Sequence, residues 1–210
     1  MKKSACYSAV ALSLLLAGQA MAAAPSTTLK VAGQFADGKC QVTLSGNSGE
    51  LNWEGLSPSI LKQNDAVQLP SKTKNVSVSC EQSSALSFRV IDNRKGTADI
   101  SNPTHFGLGN VNQTGKAGRY LATATQAFVD GQMVGIAAAG SASSASHYFI
   151  PDEVAYWSPT GGNAIKLGKS FSFDLNIHPY LASINNMGGV PSDGDNLLDG
   201  SMTLEFGFGV

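Results

Sequence analysis

Apolar and polar residues alternate in two segments near opposite ends of the chain, residues 28–35 and 201–210. Successive side chains of a β-strand point to opposite faces, so this alternation predicts two strands that each have one apolar face to bury. A strand near a terminus can pair within its own domain or within a neighbouring molecule. The apolar positions are Leu29, Val31, Gly33 and Phe35 in the first segment, and Met202, Leu204, Phe206 and Phe208 in the second.

The first residues have the organisation of a secretory signal peptide. Lys2 and Lys3 precede an apolar stretch at 10–17, and Ala20 and Ala22 fit the small-residue pattern of a cleavage site. The apolar stretch is too short to span a bilayer. We therefore predict a signal peptide at 1–22, an N-terminal extension at 23–36 and a β-rich domain at 37–210.

Length and charge limit what the exported chain can do. Cleavage after Ala22 would leave 188 of the 210 residues, which suits one domain. The remaining 12 basic and 15 acidic residues give a net charge of −3, which does not favour nucleic-acid binding. Hydrophobic residues make up 42% of the chain, and this argues for a packed core and against disorder.

Cysteine usage predicts one disulfide bond. Cys6 lies in the leader, which leaves Cys40 and Cys80 as an even pair in an exported protein. Closing a loop of this length would stabilise the fold by roughly 4 kcal/mol on the chain-entropy model. A metal or redox pair would need closer cysteines or histidine partners, so we expect the pair to be structural.

Short β-prone runs and turn signals fill the rest of the chain. The runs at 40–44, 75–80, 86–90 and 171–177 alternate, and Asp130 with Gly131 predicts a hairpin turn after the run at 120–129. No segment has a convincing amphipathic helical pattern. Together these signals predict an all-β antiparallel sandwich.

The order of these features resembles the chaperone-usher fimbrial (pilus) subunits of Gram-negative bacteria. In that family a signal peptide precedes an alternating extension with a glycine seven residues before the first cysteine, as Gly33 precedes Cys40. The second cysteine follows about 40 residues later, as Cys80 does, and the chain ends on an alternating apolar strand. One departure is that the penultimate residue is Gly209, where many family members have an aromatic residue.

The resemblance implies an incomplete immunoglobulin-like sandwich, the pilin fold, which lacks its last strand. A periplasmic chaperone would lend a strand to the resulting groove, and an outer-membrane usher would exchange that strand for the extension of a neighbouring subunit. The expected product is a cell-surface fimbrium that contributes to adhesion. On this reading Leu29, Val31, Gly33 and Phe35 form the donor strand, and Met202, Leu204, Phe206 and Phe208 line the acceptor groove.

We expect no enzyme activity, cofactor or metal site in this protein. His105, His147 and His178 never fall at metal-ligand spacing, and no serine has an assignable base and acid. One alternative keeps the extension as the first strand of a self-contained sandwich. Such a protein would be a secreted carbohydrate-binding module that uses Trp53 or Trp157 to stack on sugars.

Overall fold

A computed structural model describes residues 39–46, 49–191 and 198–209. The predicted signal peptide, the extension at 23–36 and its four apolar positions lie outside the described residues. The regular secondary structure of the described residues is β-strand, apart from one 3-10 turn at Pro58–Ile60 and one short helix, α1, at Ile184–Met187. The strands are β1 (Cys40–Leu44), β2 (Val67–Gln68), β3 (Lys72–Asp92), β4 (Phe106–Gly107), β5 (Asn110–Val111), β6 (Gly115–Lys116), β7 (Gly118–Val129), β8 (Gln132–Ala138), β9 (Ser146–Tyr148), β10 (Val154–Ser158), β11 (Leu167–Leu181) and β12 (Met202–Phe208).

Strand β3 belongs to two antiparallel sheets at once. Its first half pairs with β1 on one side and β11 on the other, and β11 pairs in turn with β7. Its second half pairs with β12 on one side and β10 on the other, and β10 pairs with β8. Because β7 also pairs with β8, these pairings join the two sheets. The described strands therefore form an all-β antiparallel fold of sandwich or barrel type, which confirms the predicted all-β class.

The prediction of two separate strands at 75–80 and 86–90 is wrong, because both belong to the continuous strand β3. The polar residues 81–83 between them resemble a loop in sequence. In the structure they stay extended and exposed where β3 passes from one sheet to the other. Their polarity reflects this solvent exposure and not a break in the strand.

The predicted hairpin is confirmed between β7 and β8. Asp130 and Gly131 form its turn with φ angles of 48° and 76°, the left-handed conformation that Asp-Gly favours in tight hairpins. The Asp130 carboxylate accepts hydrogen bonds from the backbone N–H groups of Lys169 and Ser170 at 2.9 and 2.8 Å. These bonds favour the charged carboxylate and lower the pKa of Asp130.

The predicted disulfide is also confirmed. Cys40 and Cys80 face each other across β1 and β3, with Cα atoms 4.1 Å apart. The bond therefore links the first residue of an edge strand to the middle of the strand that both sheets share. The bond thus holds the first residue of β1 against β3.

Aromatic side chains fill the space between the sheets. The Phe88 and Phe173 rings stack with centroids 5.1 Å apart, and Trp157 lies 5.1 Å from Phe171. Trp157 is completely buried, and its indole N–H donates to the Ser172 carbonyl at 3.0 Å. Such pairs add about 0.5–1.5 kcal/mol each to the burial of their area, so this cluster anchors the sandwich.

Within the described ranges, no helix has the length and apolar character needed to cross a membrane.

Candidate functional site

Strands β1 and β12 are both edge strands, and both lie beside β3. Among the described residues, β1 pairs only with the first half of β3, and β12 pairs only with the second half. The Asn93 N–H donates to the Ser201 carbonyl, and the Gly209 N–H donates to the Ala85 carbonyl. Successive residues of a strand direct their backbone N–H and C=O groups to opposite sides. Because Ser201 and Gly209 bond to β3, the even-numbered residues of β12 direct these groups away from β3.

A groove runs between these two edge strands, and its lining is mostly apolar. It consists of a wider stretch of about 680 Å³ and a narrower one of about 540 Å³, and Val42 and Phe206 line both. The narrower stretch ends beside Lys39, Cys40 and Phe208. The floor of the wider stretch includes Leu108, Tyr120, Leu175, Ile177 and Pro179.

The groove leaves inward-facing side chains of the sandwich uncovered. Val42 and Val78 are paired across β1 and β3, yet Val42 is 44% exposed while Val78 is 1% exposed. Leu44, two residues further along β1, is 39% exposed, and Phe208 on β12 is 61% exposed. These side chains have the position of core residues without the cover that a core provides.

The structure places all four predicted residues of the last strand on the groove. Met202, Leu204 and Phe206 are half-buried and line its wider stretch, and Phe208 lines the narrower one. The four predicted donor residues, Leu29, Val31, Gly33 and Phe35, lie outside the described residues.

Sequence reasoning missed the opposite wall of the groove. Val42 and Leu44 form part of it, and they share the phase of Cys40, so the alternation of β1 contains a signal that could have identified them. The segment 49–53 also borders the wider stretch and includes Trp53. No sequence pattern marks that segment, because it belongs to no strand.

Charged groups lie at the end of the groove beside segment 49–53. The Lys72 ammonium lies 5.1 Å from the centre of the Trp53 ring and donates to the Asn52 carbonyl. The Lys74 ammonium donates to the Ser45 carbonyl at 3.1 Å. Trp53 is half-buried and its indole N–H donates to the Pro70 carbonyl at 2.7 Å.

The outward side of β12 carries a single charge, on Glu205. Glu205 is exposed and lies opposite Arg89 of β3 in the strand register. Its carboxylate makes no hydrogen bond or ion pair with any residue in the described ranges. The free edge of the sheet therefore presents one carboxylate that has no partner within this part of the chain.

The described residues contain no group of three or more His, Cys, Asp or Glu side chains that could hold a metal ion. The closest approach to a catalytic pair is His178, whose Nδ1 lies 2.6 Å from the Ser71 hydroxyl and whose Nε2 lies 3.2 Å from the Thr123 hydroxyl. Both ring nitrogens thus contact hydroxyl groups, and no carboxylate orients the imidazole as nucleophilic catalysis would require.

The tryptophans do not form a sugar-stacking pair. Trp157 is buried in the core, so the idea that its ring contacts a ligand is wrong. One face of Trp53 is occupied by the Lys72 ammonium, and its ring is half-buried beside the groove.

Comparison with known proteins gives one finding. A family model described as "Protein of unknown function (DUF1120)" matches residues 29–143, more than half of the chain. No curated protein matches the chain.

Proposed function

The chain belongs to the DUF1120 family, whose function is unknown, and from this premise we propose that it is a structural subunit of a chaperone-usher fimbrium. Its domain is an incomplete immunoglobulin-like sandwich that lacks its last strand, and the groove between β1 and β12 is the place of that strand. The subunit performs no chemistry. It is exported through the periplasm and polymerises at the cell surface by donor-strand exchange, and the fibre contributes to adhesion.

The observation that carries this proposal is the difference between Val42 and Val78. The two residues form one cross-strand pair on the inner side of the sheet, but only Val78 is covered. A strand added between β1 and β12 would supply the side chains that cover Val42 in a complete sandwich. The apolar lining of the groove on both sides of Val42 and Phe206 supports a strand that runs its full length.

The occupant we propose is the extension of a neighbouring subunit, residues 28–35. Its alternation matches what an edge strand with one buried face requires, and Leu29, Val31 and Phe35 are its large apolar groups. Burying three such side chains contributes roughly 5–9 kcal/mol. The outward-directed backbone groups of Met202, Leu204, Phe206 and Phe208 would add a row of hydrogen bonds, which is the mode of β-strand addition.

Before assembly the same groove is a hazard. An exposed strand edge beside uncovered apolar side chains is a template for uncontrolled pairing. A periplasmic chaperone that supplies a temporary strand would prevent this, and an outer-membrane usher would direct the exchange. The chaperone and the usher are therefore the partners that we propose besides neighbouring subunits.

The proposal is tested by expressing the mature chain, residues 23–210, with and without residues 23–35. Without a chaperone, the complete chain is expected to form oligomers or aggregates. The shortened chain is expected to aggregate alone and to become a soluble monomer when a peptide of residues 26–36 is added. Size-exclusion chromatography with light scattering measures both states.

A peptide in which Val31 is replaced by Asp is the matched control, because it keeps the length and loses one buried contact. It is expected to rescue the shortened chain poorly. A shortened chain that is monomeric and stable unaided would overturn the proposal, since its groove would then need no added strand.

A further inference from the structure

We propose that the outer face of the sheet around β11 binds an uncharged glycan. This face lies on the opposite side of the sheet from the groove, so the inference goes beyond the proposed function and does not depend on it. Three features of the face support it. They are its lack of charge, two hydrogen-bonding groups that neighbouring side chains orient, and an exposed aromatic ring beside them.

Alternation along β11 separates the outer face from the core. Phe173, Leu175 and Ile177 are buried, whereas the residues between them, Asp174 and Asn176, are partly exposed. Leu175 and Ile177 also line the groove. Because successive side chains of a strand point to opposite faces, Asp174 and Asn176 lie on the outer face with their register partners on β3 and β7.

Charged side chains are scarce on this face. Asp174 is the only acidic or basic residue among the outward positions of β11 from Ser170 to Asn176, and the outward positions of β3 from Thr73 to Ser79 include none. The surface of a small domain is normally about a quarter to a third Lys, Arg, Glu and Asp. Nucleic acids and acidic polysaccharides require basic groups, which these positions lack. Amides and hydroxyls also take the place of the apolar centre that a protein interface has.

A chain of hydrogen bonds orients a donor on the outer face. The Thr73 hydroxyl donates to Oδ1 of Asn176 at 2.7 Å, and Nδ2 of Asn176 donates to the Thr125 hydroxyl oxygen at 2.9 Å. The Thr125 oxygen is thus an acceptor toward Asn176, and its own proton bonds to no atom of the described residues. Because a hydroxyl also has one proton to donate, Thr125 can donate it to a ligand.

An oriented acceptor lies beside this donor. Asp174 is the register partner of Thr125 across β11 and β7. Its Oδ1 accepts from the Asn75 amide at 2.9 Å, which orients the carboxylate, while its Oδ2 has no hydrogen-bond partner within the ranges that the structure describes. A sugar hydroxyl both donates and accepts hydrogen bonds, so neighbouring hydroxyls of one sugar can satisfy both Thr125 and Asp174.

Tyr148 supplies an aromatic ring at the margin of the face. It lies on the edge strand β9 opposite Thr123, which makes it the diagonal neighbour of Thr125 at about 7–8 Å. Tyr148 is 54% exposed. A sugar ring has C–H groups on one side and hydroxyls around its rim. A sugar that stacks on Tyr148 would therefore bring its hydroxyls to Thr125 and Asp174.

Binding of the mature chain, residues 23–210, to an oligosaccharide array tests the ligand class. The array carries uncharged oligomers of glucose, galactose, mannose and N-acetylglucosamine, with sialylated and sulfated forms as their acidic counterparts. We expect binding to uncharged members, and weaker binding when the same glycan carries sialic acid or sulfate, because the added negative charge would meet Asp174. Absence of binding to every uncharged glycan, or binding to acidic forms alone, would overturn the proposal.

Substitutions on the outer face test the position of the site. Tyr148→Ala and Thr125→Val are each expected to raise the dissociation constant of the best-bound uncharged glycan about five- to tenfold, because one contact is lost. Tyr148→Phe keeps the ring and should bind within about twofold of the wild type. Leu167→Ala is the matched control, since Leu167 is 59% exposed and lies seven residues before Asp174 on β11, about 23 Å away.

The outcomes separate a glycan site from a purely structural role of these polar side chains. Unchanged glycan binding in both Tyr148→Ala and Thr125→Val, with urea midpoints equal to that of the wild type, would overturn the proposed site and place the ligand elsewhere. Weaker self-association of Tyr148→Ala, with no glycan bound by the wild type, would overturn the proposal and assign the face to contact between copies of the chain. Polymer growth by donor-strand exchange is expected to be the same in all these variants, so the two proposals fail separately.

Discussion

The Phe206 ring packs against the Phe88 ring with centroids 5.7 Å apart, so a residue that lines the groove also contacts the buried aromatic cluster. Phe88 is 1% exposed and contacts three further rings, those of Phe149, Trp157 and Phe173. The state of the groove is therefore coupled by direct contact to the centre of the sandwich.

Replacing Phe206 by Ala is expected to destabilise the folded chain by about 2–3 kcal/mol, below the range for a fully buried phenylalanine because Phe206 is half-buried. Phe208→Ala is the matched control, since that ring is 61% exposed. It should change the unfolding free energy by less than about 0.5 kcal/mol. Urea unfolding followed by tryptophan fluorescence measures both, and equal losses would contradict the distinction between the two rings.

Removing the disulfide is expected to loosen β1 and with it one wall of the groove. The double variant Cys40→Ser with Cys80→Ser should lose about 3–4 kcal/mol of stability. Limited proteolysis should then cut first within residues 39–46. Wild-type protein treated with a reductant provides the comparison that leaves the sequence unchanged, and an unaltered urea midpoint in both would argue against this role.

Tyr120 contains a buried hydroxyl that finds no hydrogen-bond partner among the described residues. Burial and the nearby Asp92 carboxylate both raise the pKa of Tyr120, so the hydroxyl stays protonated. Tyr120→Phe is expected to leave stability unchanged or to raise it by about 1 kcal/mol, because an unsatisfied buried group is removed.

Tyr156→Phe serves as the control for that substitution. Its hydroxyl donates to the Asn163 carbonyl at 2.9 Å. Losing that bond should cost about 1 kcal/mol. Thermal unfolding should therefore occur at a lower temperature in Tyr156→Phe but not in Tyr120→Phe. A clear loss of stability in Tyr120→Phe would show that its hydroxyl has a partner.

We expect His147 to make the stability of the fold depend on pH. Its Nε2 is buried without a partner in the described ranges, and its ring lies 5.5 Å from that of Phe149. Burial lowers the pKa of His147, so the unfolded chain binds this proton at a higher pH than the folded chain. The folded state is therefore not penalised by protonation of His147 above about pH 6.5. Stability is lost as the pH falls from there toward the lowered pKa of the folded state.

His147→Phe should therefore flatten the loss of stability between about pH 7 and pH 5. The measurement is the free energy of unfolding in urea at several pH values across that range for the wild type and the variant. Parallel curves for the two proteins would mean that another group causes the acid sensitivity.

The sequence predicts those parts of the fold that depend on local signals. The alternation in β12, the turn at Asp130 and Gly131, and the pairing of Cys40 with Cys80 follow from residues that are informative on their own or as an isolated pair. The position of Trp157 does not follow in this way. Only the packing of two sheets decides whether a tryptophan is buried or exposed.

The resemblance implies a groove lined by the last strand, but the wall of the groove that β1 forms was beyond sequence reasoning for a related physical reason. Within the part of the chain that the structure describes, the groove exists because β1 and β12 each pair on one side only. Which edges stay unpaired is a property of all the strand pairings together. The alternation of Val42 and Leu44 predicts which face of the strand they lie on, but it does not predict which strand lies beside them. The continuity of β3 could not be predicted for a similar reason, because residues 81–83 are exposed and polar, as the residues of a loop are.

If the chain is assembled into the proposed fibre, the continuity of β3 would also determine how each subunit bears mechanical tension. A pull on residues before Cys40 enters β3 through the disulfide at Cys80, and a strand seated along β12 pulls on β3 through residues 86–92. The force would then pass through the few residues of the β3 backbone between Cys80 and residue 86, and not through β7, β8 or β11. A fibre built from such subunits should stretch little before its joints slide, since the most extended segment already links both ends.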